Sequence, residues 1–340
     1  MKKGFTVFLC IAAFVSSGCA TKWMMDVRKP ETPLQWPFPP AKAKVEYTMT
    51  ITGFKETGTS LKTIVFGREG HTFSRPVAVA TGRDGRFAVA DAECGCVLLY
   101  VPAEQRVHKL FTMGKEAMVS PVSVLFDDDL TLYVSDSVLR KIAVFDKQGT
   151  FLFFMGKTAE LTRPTGLAFD NDKKTIYALD TLSHKVHAMN KKGDLLFSFG
   201  GRGTDDGQLN FPTHLSWSPV RRIYITDAMN FKVKIFDSSG NFIASFGRHG
   251  DGSGDFSIPK GIAVDMDGVI YVVDTLFDNI QLFDERGQFL LTVGSRGLDH
   301  GEFWLPSGIF IDDKDTLYVC DTFNRRIQVF KITRNYVGTN

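Results

Sequence analysis

The chain has 340 residues, 44% of them hydrophobic and 23% charged, a composition that supports a large buried core and excludes intrinsic disorder. Its 40 Lys and Arg stand against 38 Asp and Glu with no long run of one sign, which argues against a nucleic-acid binder. Five cysteines without a C-x-x-C pair exclude a disulfide scaffold, a zinc ribbon and a c-type haem site.

Residues 1–18 have the layout of a secretory signal: Met1-Lys2-Lys3, a mostly apolar run from Phe5 to Val15, then Ser16-Ser17-Gly18. The run is too short to cross a bilayer, which takes about 20 apolar residues. Small residues leading directly into Cys19 resemble the lipobox of bacterial lipoproteins. That resemblance implies cleavage before Cys19, acylation of Cys19, and a bacterial cell-envelope protein held to a membrane by its lipid. Ala20 at the next position implies the outer membrane, facing the periplasm. Ordinary signal cleavage, with Cys19 incidental, is the alternative. Residues 19–43 then carry Pro30, Pro33, Pro37, Pro39 and Pro40. Proline at this density predicts an extended tether without helix or central strand.

From residue 44 to 332 the chain repeats. Prolines at 76, 121, 164, 212, 259 and 306 are 43 to 48 residues apart, and each is followed 15 or 16 residues later by an aspartate: Asp91, Asp136, Asp180, Asp227, Asp274 and Asp321. Each unit holds four short runs of β-branched and aromatic residues, separated by Gly, Asp, Asn or Pro turn chemistry. Four strands at this period are the signature of a β-propeller blade, so the chain is predicted to be all-β and six-bladed. The sixth unit carries Pro306-Ser307-Gly308-Ile309-Phe310-Ile311-Asp312 and Leu317-Tyr318-Val319-Cys320-Asp321-Thr322-Phe323-Asn324-Arg325-Arg326-Ile327-Gln328-Val329-Phe330. These segments resemble the NHL repeat family. The sixth unit ends near Ile332 before any fourth strand, so an N-terminal strand must close the ring; Val45 to Thr52 is the better candidate and Leu61 to Phe66 the alternative. Residues 333–340 read as a tail.

Chemistry is expected on the face formed by the loop leading into each innermost strand and the turn between the second and third strands. Three lead-in loops are glycine-rich (Gly200 to Gly203, Gly247 to Gly250, Gly294 to Gly297). They run into strands, not helices, so they read as turns and not as phosphate cradles. The six repeat aspartates read as architecture, with Lys141, Lys185, Lys232 and Arg326, five residues on, as charge-assisted partners. Residues that break the repeat are better ligand candidates: Thr165, His214 and Lys260 at the channel mouth, and Arg140, His184, Asn230, Asp278, Asn324 and Arg325 in the turns. Cys94 or Cys96 bridged to Cys320 would staple blade 1 to blade 6; a Cys94–Cys96 loop pair beside a buried Cys320, or a soft-metal site, are the other options.

NHL-type propellers include peptidyl-hydroxyglycine amidating lyases, and that resemblance implies histidines directly after several blade prolines. Here those residues are Val77, Val122, Thr165, Thr213, Lys260 and Ser307. No catalytic residue, metal or cofactor is therefore predicted. The reading is a monomeric, lipid-anchored module that binds a protein or an envelope ligand, with no nucleic acid. A metal-dependent lyase or lactonase-like hydrolase at the channel mouth is the alternative.

Overall fold

The computed structural model describes residues 22–42, 44–58 and 67–334. Cys19, the signal and the alternative closing strand at 61–66 lie outside them. Five antiparallel four-stranded meanders follow one another, with innermost strands Pro76–Thr81, Pro121–Phe126, Pro164–Asp170, Pro212–Trp217 and Pro259–Val264. The sixth sheet draws on both ends of the chain. Ile309–Ile311, Thr316–Asp321 and Arg326–Ile332 are completed by Val45–Thr57, whose register runs from Val45 against Ile332 to Ile51 against Ile327. The chain is thus an all-β, six-bladed propeller closed by an N-terminal strand, and that strand is the one beginning at Val45.

Local turn chemistry explains the meanders. In blade 5, Asp265 ends the innermost strand; one carboxylate oxygen accepts the Asp267 and Val269 amides at 2.9 Å each, and the other accepts the Tyr271 hydroxyl at 3.0 Å. Asp127 with Tyr133 and Asp312 with Tyr318 repeat the device in blades 2 and 6. A short side-chain acceptor that satisfies two amides stabilises a tight reversal where no ladder bond is available.

Packing lies between the blades. The buried apolar residues fall into six clusters, and each joins two neighbouring blades: one spans blades 1 and 2, the next blades 2 and 3, and so on to blades 6 and 1. At two of these seams the innermost strands approach too closely for a side chain. A Cβ on Gly308 would lie 2.3 Å from the Val77 carbonyl oxygen, and one on Gly261 2.3 Å from that of Ser307. Hydroxyl latches cross the same seams: Thr181 donates to the Pro212 carbonyl (2.7 Å), Thr275 to that of Pro306 (2.8 Å) and Thr322 to that of Pro76 (2.9 Å). The last closes the ring.

The proline-rich segment is not the extended tether expected of it. Lys22–Arg28 pairs with the outer side of Val45–Thr57, and Leu34–Trp36 pairs with Val45 to Tyr47. Trp36 is buried between blades 5 and 6, its ring centroid 5.8 Å from that of Phe330, while Trp23 stacks on His71 at 4.9 Å. The prolines stand between these edge strands, where no ladder amide is lost, and burial of Trp36 with partial cover of Trp23 favours docking over free chain.

Phe330 is fully buried against Trp36, Tyr47 and Phe303. Phe330→Ala is expected to lower the unfolding free energy by about 3–5 kcal/mol in urea titrations. The same change at exposed Phe38 should stay within about 0.5 kcal/mol.

Candidate functional site

The repeat aspartates build the face that carries the blade prolines, called here the proline face. Asp274 accepts the Ser257 and Ile258 amides from the lead-in loop (2.7 and 3.1 Å) and the Leu276 and Phe277 amides from its own turn (3.2 and 3.4 Å). Asp91 and Asp136 do the same with four amides each, and Asp180 adds the Thr162 hydroxyl. Of the four cations expected five residues on, only Arg326 pairs with its aspartate, at 2.7 Å. Lys141 binds Glu116 instead, and Asp227 takes Lys234, seven residues on, at 3.6 Å. Amides already fill the carboxylates, so the lysines are not needed there.

Most of the proposed turn residues also serve this framework. His184 Nδ1 accepts the Phe211 amide (3.0 Å) and Asp278 accepts that of Leu305 (2.6 Å), each reaching the next blade. Asn230 and Asn324 donate both to their own blade aspartate and to the carbonyls of Gly203 and Gly297 in the lead-in loops. Arg140 and Arg325 are exposed. The glycine-rich loops fold on themselves through bridges from Arg202 to Leu209, His249 to Phe256 and Arg296 to Phe303, whose apolar partners are fully buried. They are turns, as expected.

The cysteine staple does not form. Cys94 and Cys96 are bonded to each other, 5.2 Å apart at Cα, and Cys320 is a free, buried thiol that its surroundings push up in pKa. Gly95, at φ 59°, turns the chain so that two sulfurs two residues apart meet without moving either blade.

At the axis, the ladder between first and second strands shifts register just after the proline in blades 1 to 5, for example between Pro212 and Leu215 and between Pro259 and Ile262. Such bulges re-aim side chains. They place Thr165, His214 and Lys260 near the channel. The Thr165 hydroxyl is engaged with that of Thr181 at 2.9 Å. His214 lines a cavity of about 550 Å³ that runs from the level of Ser123, Gly166 and Gly308 to the opposite mouth, at Arg83, Lys174 and Asp313. Of the nine ligand candidates, only His214 lines this cavity. Its accessible surface faces the channel, and its Nδ1 is buried with no hydrogen-bond partner. Burial, with help from Lys260, pulls the imidazole pKa down to about 3.

Asp127, Asp128 and Asp129 cluster at that opposite mouth with metal-like spacing. Lys191 occupies their centre, 2.7, 3.2 and 2.6 Å from the three carboxylates, which hold its pKa up despite partial burial. The cluster is an ion-pair network.

The sequence reading missed a feature of the proline face. Two residues after the aspartate, blades 2 to 6 present Val138, Leu182, Met229, Leu276 and Phe323, 45 to 59% exposed; blade 1 has Glu93. Phe211 and Trp304 stand exposed in the lead-in loops of the same face. The signal was available as a recurrent apolar residue at a turn position that no packing argument requires.

The sequence model of a family described as a 6-bladed beta-propeller, DUF5128, matches residues 203–275 and 264–340. No curated protein matches the chain. Among solved structures, a streptogramin B lyase superposes with TM-score 0.59 at 10% identity, over 77% of this chain and 94% of that one. A gluconolactonase from Xanthomonas campestris gives 0.59 at 17%, over 77% and 87%. Hydrazine synthase of Kuenenia stuttgartiensis gives 0.60 at 16%, over 87% and 93%. At such identities the likeness is one of fold.

Between the ordinary histidine value near 6.5 and about 3, the unfolded chain takes up a proton that folded His214 refuses. Stability is therefore expected to fall as pH drops below about 6.5. Urea midpoints should decline over this window in the wild type and less steeply in His214→Asn; equal slopes would contradict the assignment.

Proposed function

We propose that this chain is an NHL-type propeller of the bacterial cell envelope, held to the membrane by a lipid on Cys19, that binds a protein partner through its proline face. The observation that carries the reading is the apolar ring at Val138, Leu182, Met229, Leu276 and Phe323. Framework aspartates fix the turns beneath these side chains, so the ring is rigid, and exposed apolar residues on a rigid face favour docking of another surface. The outer-rim residues Leu152, Leu196, Ile243 and Leu290 are exposed as well, but each lies on the outermost strand of a different blade and not in the turns that form the ring.

An enzyme at the cavity is the second reading, favoured by His214 in the channel. Among the described residues, no three His, Cys, Asp or Glu donors converge on His214. A metal-dependent lyase or lactonase would need about three protein ligands there.

Cross-linking in intact envelopes, followed by purification of this chain, tests the docking reading. Leu276→Glu with Phe323→Glu should reduce the cross-linked partner about tenfold or more, while Leu290→Glu on the rim leaves it unchanged. Equal loss in both, or in neither, contradicts it. Cys19→Ser should move the protein from the membrane fraction to the soluble one; continued flotation with membranes would overturn the anchor.

A further inference from the structure

Among the described residues the buried Lys and Arg side chains are Arg86, Lys234 and Arg326, and all three are satisfied. Lys234 gives its ammonium to the carbonyls of Asp205 and Gln208 (2.7 and 2.6 Å) with Asp227 beside it; Arg326 bonds Asp321 and three carbonyls; Arg86 bonds Asp84 and the Lys147 carbonyl. Lys260 is half-buried; its carbonyl accepts the Thr226 hydroxyl at 2.6 Å, but its ammonium has no hydrogen bond or ion pair among the described residues, although it is the charged residue of its ring: the other residues after the blade prolines are Val77, Val122, Thr165, Thr213 and Ser307. It stands one residue nearer the proline face than the end of the channel cavity. An ammonium partly shielded from water and without a counter-charge favours an anion beside it.

The surroundings supply more positive charge and no compensation. Lys260 lies within electrostatic reach of His214 in blade 4 and of the exposed Arg75 in blade 1. Of the residues on either side of the six blade prolines, Arg75, Arg163 and Lys260 are basic and none is acidic. The repeat aspartates nearby are turned to their own loops. Below, His214 keeps a buried, partnerless Nδ1 beside the small residues Ala78, Ser123, Gly166 and Gly308. Burial and Arg75 lower the Lys260 pKa, as expected of a cation that lacks its counter-ion.

We propose that the mouth of the channel on the proline face is an oxyanion site, in which Lys260, flanked by Arg75 and with His214 beneath, holds a carboxylate or phosphoryl group of the bound partner. This rests on the reading of the proline face as the binding face and adds its central contact. The apolar ring gives area, and the recessed cation gives register and selects a ligand that carries an anion at its centre.

The test is titration calorimetry of the mature chain with inorganic phosphate and, separately, with acetate, both at constant ionic strength with chloride as the reference anion. One of the two should bind saturably at a single site and shift the His214 ring resonances. Saturation by phosphate alone assigns a phosphoryl ligand; saturation by acetate alone assigns a carboxylate. Lys260→Met should weaken binding about ten- to a hundredfold, as for removal of a charge-assisted hydrogen bond, and Lys260→Arg should retain it. Should Lys260→Met not fold, Arg75→Gln carries the same comparison with a smaller loss. Failure of both anions to bind, or undiminished binding in the folded Lys260→Met protein, overturns the site. Partner cross-linking that still depends on Leu276 and Phe323 would then leave the docking face standing without it.

Discussion

The structure depends on one recurrent contact, the buried carboxylate at the end of each second strand. Asp274 ties the loop that leads into its blade to the turn that leaves its second strand, and its five counterparts do the same with amides, a hydroxyl, an asparagine or an arginine. A carboxylate that accepts several hydrogen bonds is a strong fixed point even when buried, because each bond offsets part of the desolvation cost. Everything displayed on the proline face is positioned by these points.

The second constraint is closure. Blades contact one another through six separate apolar seams, not one central core, so the ring is only as good as its last seam. The chain secures that seam with segments remote in sequence: Val45 to Ile51 against the third strand of blade 6, Trp36 filling the gap to blade 5, and Thr322 latched to Pro76. Close backbone approach at Gly166, Gly261 and Gly308 keeps the axis narrow on the proline side, while the cavity opens toward the other mouth. The two ends of the channel are therefore different places. One is apolar and basic with an unpaired ammonium, and the other is laced with paired charges such as Lys191 among Asp127, Asp128 and Asp129.

Much of this was legible in the residues. Blade number, the closing strand and the framework role of the aspartates follow from spacing, because a turn or a strand pair involves residues a fixed, short distance apart. The candidate site was less legible. His184, Asn230, Asp278 and Asn324 vary between blades, which marked them as ligand candidates, yet each is consumed by a hydrogen bond to a lead-in loop 27 residues away. Variation between repeats records blade-specific architecture as well as ligand chemistry. The cysteines and the proline-rich segment teach the same point, since Cys94 found a partner two residues off and Trp36 found one almost three hundred residues away.

The sequence by itself determined six four-stranded units, the need for an N-terminal strand to complete the last, and a balanced charge; these are properties of local spacing and composition. Tertiary structure decided which polar groups are satisfied. Lys234 and Lys260 look alike in a list of residues, but only the fold buries the first among carbonyls and a carboxylate and leaves the second half-buried, its ammonium without a partner among the described residues. The free energy of a buried charge is set by neighbours from other blades, and no local pattern encodes them.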